Sequence, residues 1–588
     1  MKTQLFLVLF ASLGFSACGE AIDDFSPDGR DDVAFADGKA DGLFSDCGKR
    51  TLLEKLATTE NLVDFLKEEG VHTRAAKNIQ KKRNGADETF ATADDFTFET
   101  MVDVDKVPWV GKVAMNQLAS LVSGATCTVA VSEADVIFSP QPMASSHLAK
   151  IAELIDGAKD SIDIAMYSYR DGGIASALES AVNRGVSVRF VFESGNNDRK
   201  KGGIGTKSAK LESIGVDVRY INKIMHHKYI LIDGPRDAAS ATFSSDKGTL
   251  ATGSGNWSNS AGTRYDENTV FVYGNGELNL KFQREFNHLW GHSRDFTSAQ
   301  SFTFFESDSI EESMIVDDPN VDAIFTSANF KTSVSSRFGN TFSVIAGKNT
   351  VSDRIVGLIE SAQTSIRIAS GHLRSRPVAQ ALLAKVKASP NLDVKIYLDA
   401  QEYVSEFTHN KELDKRETCL DKAGTSTSKQ QKCLDKGFHY AFDLVEAQIP
   451  VKFKYYSYRW HYSYAVQMHH KYLIIDGDTV IAGSYNLSDN AEHNTMENMV
   501  IYNRAGFPGV VDGFIANFDS IWTTGDGLLD GLIDEIKTSP RVPIVFDSMA
   551  LNWSEVRRLK STISSECPEV NSSDFRRKPE RHFVCIKR

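Results

Sequence analysis

Cysteine is scarce in this chain, seven in 588 residues, and no two form a CxxC pair or a Cys/His cluster with metal-ligand spacing. That leaves a cysteine-based metal site without support. Past the N-terminal stretch, no apolar run is long enough to cross a bilayer as a helix. A basic excess is also missing: 66 Lys+Arg against 78 Asp+Glu give a net charge of −12. Proteins that wrap long nucleic acid usually carry a basic face, so the balance argues against that class, although a local basic groove stays compatible with it. What remains is a globular composition, 41% hydrophobic and 24% charged, over a length that exceeds one ordinary core. About two to four domains are expected.

The N-terminus reads as an export signal. Lys2 supplies a positive start and Leu5–Phe15 an apolar stretch too short to span a membrane. Phe15-Ser16-Ala17-Cys18-Gly19 resembles the lipobox of bacterial lipoproteins, which implies loss of residues 1–17 and lipidation of Cys18. Phe15 stands where that motif usually has Leu, so plain secretion is the alternative. Export from a bacterial cell, as an outer-membrane or periplasmic lipoprotein or a secreted protein, is the expectation. The six other cysteines suit disulfides, and neighbours along the chain pair as Cys47–Cys127, Cys419–Cys433 and Cys567–Cys585. Sequence alone does not fix that connectivity.

Residues 18–47 are acidic and Gly/Asp-rich, with little apolar periodicity, and read as a flexible tether. Residues 48–127 read as a small helical domain, with Leu52, Leu53, Leu56, Leu62, Phe65 and Leu66 at helical spacing. Within it, Val107–Ala114 resembles the hairpin of a helix-hairpin-helix unit, which can offer backbone N–H groups to a DNA phosphate. Asp87, Asp94, Asp95, Asp103 and Asp105 crowd the segment. They favour a docking domain over a phosphate clamp.

From about residue 130 the chain repeats itself. Ile151–Ala165 answers to Ile355–Ala369, each a helix running into a buried strand, and second strands follow at Val186–Phe192 and Val394–Leu398. Strands alternating with helices predict an α/β fold of two pseudo-two-fold-related halves, mixed sheets flanked by helices, over 130–300 and 320–525. Residues 526–588 read as a disulfide-stapled C-terminal tail.

Each half carries H-x-K-x4-D: His226, Lys228 and Asp233 in the first, His469, Lys471 and Asp476 in the second. Each continues into G-S-x-N, at Gly253-Ser254-Gly255-Asn256 and Gly483-Ser484-Tyr485-Asn486. A Glu-Asn pair follows, with Glu267 and Glu497 the same eleven positions after the motif Asn. On a strand, residues i and i+2 share a face, so imidazole and ammonium emerge together. That pairing suits an anionic phosphodiester: Lys gathers its oxygens while His approaches phosphorus. A carboxylate on the far imidazole nitrogen would fix the tautomer, the role assigned to Glu267 and Glu497. One motif could be a basic turn at a strand end. Two, at matched offsets inside matched repeats, are not explained that way.

From about 130 to 525 the chain resembles the phospholipase D superfamily, the enzymes with two HKD motifs. The resemblance implies one cleft built from both motifs and two-step catalysis without metal or other cofactor. It implies His226 as nucleophile and His469 as general acid and base, in an order that could be reversed. Lys228, Lys471, Asn256 and Asn486 would hold the phosphate, with Ser254 and Ser484 beside them, and Asp233 and Asp476 would be structural. With both motifs in one chain, a monomer is expected. One departure is the long stretch Gly234–Thr252, read as a surface hairpin overhanging the cleft.

The substrate reading favours phospholipid hydrolysis at a membrane surface, with transphosphatidylation as a further outcome of the same chemistry. A metal-independent endonuclease is the alternative and a cardiolipin synthase-like phosphatidyltransferase a second one. The run Tyr455, Tyr456, Tyr458, Trp460, Tyr462, Tyr464 is open to three readings: a membrane contact or head-group cage, a base-stacking surface, or a packed strand face.

Overall fold

The computed structural model describes residues 43–587 apart from 45, 93, 99–100, 124–131, 239, 242–244, 303–308, 316–317 and 336–338. Cys18, the leader, most of the tether and Cys127 of the expected Cys47–Cys127 pair lie outside the described residues. The chain divides into two compact units, Met1–Cys127 and Thr128–Arg588.

The first unit is helical, with helices Asp46–Thr58, Leu62–Glu68, Thr73–Arg83, Met101–Asp105 and Lys112–Leu121. Their apolar faces close one core around Leu52, Leu56, Leu66, Ile79, Val104 and Leu118. Arg83 is buried in it and its guanidinium donates to the carbonyls of Leu56, Thr59 and Glu60, which a preceding helix end leaves open. Trp109, in the turn before the last helix, is exposed and stacks under Arg74 at 4.7 Å.

The second unit contains two eight-stranded mixed sheets with the same topology. In spatial order the first runs Ala134–Ser139, Glu267–Tyr273, Thr249–Gly253, Lys228–Ile232, Ser161–Met166, Ser187–Phe192, Asp217–Tyr220, Arg294–Asp295. The second runs Val321–Phe325, Asn498–Asn503, Thr479–Gly483, Lys471–Ile475, Ser365–Ser370, Asp393–Asp399, Val451–Ser457, Val545–Asn552. Every strand of one sheet has its counterpart at the same place in the other.

Alternation along the central strands builds three layers of core. Ile230 and Ile232 face outward to helices His147–Gly157 and Gly172–Asn183. Leu473 and Ile475 do the same toward Thr350–Ser361 and Arg376–Ala388. Tyr229, Leu231, Tyr472 and Ile474 face inward and share one core with helices Gly276–Gly291 and Pro508–Trp522. Apolar runs buried on both faces therefore hold the halves together.

Residues 526–588 are not a trailing tail. Val545–Asn552 pairs antiparallel with Val451–Ser457 as an edge strand of the second sheet, and helix Trp553–Glu566 packs Val556, Leu559 and Ile563 into its core. That helix is amphipathic, and its apolar face needs the sheet to be covered. Cys419–Cys433 and Cys567–Cys585 are bonded.

Candidate active site

Both motifs stand at one edge of their sheets, where the halves meet. The strands begin at Lys228 and Lys471, so the histidines lie just before them and not, as i, i+2 alternation supposed, within them. The opposite half places them instead. Ile224–Met225 pairs in parallel with Thr495–Met496, the His226 N–H donates to the Met496 carbonyl at 3.1 Å, and the His469 N–H to the Asp266 carbonyl at 3.0 Å.

The side chains cross over as well. His226 Nδ1 is 2.8 Å from Glu497, and His469 Nδ1 is 2.8 Å from Glu267, both carboxylates fully buried. A carboxylate on Nδ1 keeps the proton there and leaves Nε2 with its lone pair. The Lys228 and Lys471 ammoniums donate to the His226 and His469 carbonyls at 2.6 and 2.7 Å.

Burial dominates the ionisation of this site. It lowers Lys228 to about 7 and Lys471 to about 8, and pushes Glu267 and Glu497 up to about 7. Both motif histidines fall well below their ordinary range, first through burial and then through the lysine charges. Their neutral form, with a free lone pair, is therefore the resting one. An arriving phosphodiester anion would supply the negative charge that the buried lysines lack.

The G-S-x-N turns have a steric logic. A Cβ on Gly253 or Gly483 would collide with the carbonyl oxygen of Asn268 or Asn498 on the adjacent strand. Ser254 and Ser484, assigned to substrate, are instead fully buried. Each accepts the N–H of Asn268 or Asn498 at 3.0 Å, and Ser484 donates to Glu497 at 2.7 Å. They hold the glutamates and do not face the cleft. Asn256 and Asn486 are partly exposed, and each has a buried amide oxygen with no hydrogen-bond partner. An unpaired amide oxygen can only accept, so a phosphate would be held by the amide N–H groups of these residues.

Asp233 and Asp476 sit at the far ends of the motif strands. Asp233 accepts the N–H groups of Lys159, Asp160 and Ser161, and Asp476 those of Gln363, Thr364 and Ser365. The stretch after Asp233 starts from that same end, about 16 Å of strand from the histidine edge. Its described residues do not overhang the cleft: Arg236 folds back onto Asp163 at 2.7 Å.

Several residues escaped the sequence reading. His227 and His470, the middle residues of H-H-K, are buried and bond Asn498 and Asn268 of the opposite half at 3.1 Å. Their matched recurrence in both copies was the available signal. Glu193 accepts the Met225 N–H at 2.6 Å and Asp399 the Met468 N–H at 2.9 Å, so each motif histidine follows a residue pinned by a carboxylate from another strand end. Tyr167 lies with its ring 4.6 Å from that of His226. In the tyrosine run, Tyr455, Tyr456, Tyr458 and Tyr464 are buried, and only Trp460 and Tyr462 are exposed. Tyr455 and Tyr456 lie on the interior strand Val451–Ser457, whereas Tyr458 and Tyr464 are buried in the connection that follows it.

Residues 151–290 and 355–522 match the family model described as "Cardiolipin synthase, PLD-like domain". The chain is 30% identical over 162 residues to the mitochondrial cardiolipin hydrolase of Drosophila melanogaster, covering 24% of this chain and 58% of that protein. It is 32% identical over 124 residues to a phospholipase D of Rickettsia conorii, covering 21% and 54%. The chain thus spans little more than half the length of these relatives. The solved phosphatidylserine synthase of Haemophilus influenzae is similar at 13% identity and a TM-score of 0.42, over 66% of this chain and 87% of that one.

Proposed function

Since the chain belongs to the phospholipase D superfamily, we propose that it is a phospholipase D-type phosphodiesterase that removes the head group of a phospholipid and leaves phosphatidic acid. The observation that carries this reading is the pair of crossed His–Glu contacts, which orient two imidazoles from opposite halves toward one lysine-lined site.

In the proposed path Lys228, Lys471, Asn256 and Asn486 hold the non-bridging oxygens. His226 Nε2 attacks phosphorus, and the bond to the head-group oxygen breaks as the N–P bond forms. His469, which takes up a proton on Nε2 when the phosphodiester anion lies beside it, gives that proton to the oxygen. The same imidazole then takes a proton from water, whose oxygen displaces His226 and releases phosphatidate. A small alcohol in place of water gives a transphosphatidylation product, and a glycerol-bearing acceptor would make the protein a cardiolipin synthase-like transferase.

A lipid substrate fits the exposed apolar side chains on connections that leave the histidine edge of the sheets. Tyr167, Ile204, Ile224, Phe407 and Tyr462 are exposed apolar side chains on connections that follow strand ends of the histidine edge. Such side chains can enter a membrane interface. Lipidation at Cys18 would keep the enzyme there. The test is a parallel assay of phospholipid vesicles and plasmid DNA. Head-group release from vesicles, with intact plasmid, is expected; a nuclease would cut DNA at low salt, lose affinity steeply as salt rises, and ignore the vesicles.

A further inference from the structure

We propose that His372, backed by Glu402 and Arg374, forms the subsite for the leaving head group and selects head groups bearing hydroxyl or phosphate oxygens over quaternary ammonium. This deepens the phospholipase reading and rests on it.

The placement follows from the second sheet. Strand Ser365–Ser370 neighbours the motif strand with Ser370 opposite Lys471. One residue further, the Gly371 N–H donates to the His470 carbonyl at 3.0 Å, and a Cβ on Gly371 would stand 3.8 Å from the His469 Cα. His372 is the next residue, and so flanks His469. In the first half the matching position is Ser168, so the duplicated scaffold does not itself require a histidine there.

His372 repeats the design of the two motif histidines. Its Nδ1 is 3.0 Å from Glu402, which is fully buried and also accepts from Arg374 Nε at 2.9 Å and the Leu373 N–H at 3.2 Å. Burial works against ionising that carboxyl, yet the bond from His372 and the charges of His372 and Arg374 hold it at about 2. Nδ1 is thereby occupied. The side chain is 25% exposed, and Nε2 has no partner among the described residues.

In the proposed path His469 delivers a proton to the leaving oxygen, so a group flanking His469 meets the head group. Imidazole Nε2 accepts from a hydroxyl when neutral and donates to a phosphate or hydroxyl oxygen when protonated. It offers nothing to a trimethylammonium. Choline recognition needs a carboxylate or ring faces. Here Glu402 and Asp399 are fully buried, with Asp399 bonded to the N–H groups of Gln401 and Met468, and most of the nearby tyrosine run is packed. Arg374 and Glu402 neutralise each other at 2.7 Å, so a protonated His372 leaves one net positive charge, which repels choline and attracts an anionic head group.

The experiment places phosphatidylglycerol and phosphatidylcholine at equal fractions in one vesicle, so both meet the same surface charge. Free glycerol and choline are then measured for the wild type, His372→Ala and His372→Gln. The wild type should favour phosphatidylglycerol by about tenfold or more in kcat/KM. His372→Ala should bring the ratio near one by losing rate on phosphatidylglycerol, and His372→Gln, which still makes a hydrogen bond, should keep part of the preference. A wild-type preference for phosphatidylcholine, or an unchanged ratio in both variants, overturns the subsite. If the wild type releases neither head group but hydrolyses bis(p-nitrophenyl) phosphate, the phospholipase reading itself falls, and the subsite with it.

Discussion

His226 takes its carboxylate from the other half of the chain: its Nδ1 lies 2.8 Å from Glu497, 271 residues away, while Glu267 of its own half serves His469. Neither half can orient its own histidine, so the duplication behaves as one site. Glu497→Gln and Glu267→Gln should each lower kcat by about 10²–10⁴-fold, because an amide can present N–H₂ to Nδ1 and favour the wrong tautomer. Circular dichroism should show the fold intact. Activity near wild type in either variant would count against the crossed assignment.

Ionisation should shape the pH profile. The proposed nucleophile works neutral, and its lowered range keeps it so down into acid. Lys228 must be charged to hold the phosphate, and burial lowers it to about 7. It therefore loses its charge as pH rises through that value, and kcat/KM should fall on the alkaline side from about pH 7 to 8. Lys228→Arg keeps its charge throughout, so in that variant the alkaline limb should move upward, even if the maximum rate drops. An unmoved limb would assign it to another group.

Glu193 and Asp399 are positioning residues in this account. Removing the acceptor of the Met225 N–H should loosen His226 without touching substrate. Glu193→Ala should lower kcat about tenfold or more with KM little changed, and Glu193→Gln, whose amide oxygen still accepts, should recover most of it. Equal losses in both would show that the charge, not the hydrogen bond, matters.

The Cys419–Cys433 bond joins helices Glu406–Ala423 and Thr427–Leu434. Closing a loop of that size should contribute about 3 kcal/mol by the chain-entropy account. Replacing both cysteines with serine should speed proteolysis between the two helices. Unchanged cleavage would show that packing alone holds the excursion.

Much of this was legible in the sequence because it occurs twice. The paired H-x-K-x4-D, G-S-x-N and Glu-Asn offsets, set in matched helix-strand repeats, pointed to the two-half α/β architecture. The crossing was not legible. Both glutamates sit at the same offset from their own motifs, so spacing cannot say which histidine each one meets. Ser254 and Ser484 looked like phosphate ligands because they adjoin Asn256 and Asn486, but the glycine beside each brings the chain so close to the next strand that the hydroxyl turns inward. The tyrosine run left three readings open because spacing does not show that Tyr455 and Tyr456 lie on an interior strand buried on both faces while Tyr462 lies in the connection beyond it. The direction of Gly234–Thr252 could have been read: on a five-residue strand with histidine before one end, whatever follows Asp233 must leave from the other.

The most direct test of the central claim, a covalent phosphohistidine relay split between His226 and His469, is head-group exchange. Phosphatidylglycerol vesicles are incubated with the enzyme in dilute ethanol, and lipid products are separated for the wild type, His226→Ala and His469→Ala. The account predicts phosphatidylethanol alongside phosphatidic acid in the wild type and neither product from either variant, because an intermediate awaiting an acceptor accepts ethanol as well as water. Phosphatidic acid without any phosphatidylethanol in that ethanol, or lipid turnover that survives the loss of either histidine, would contradict it.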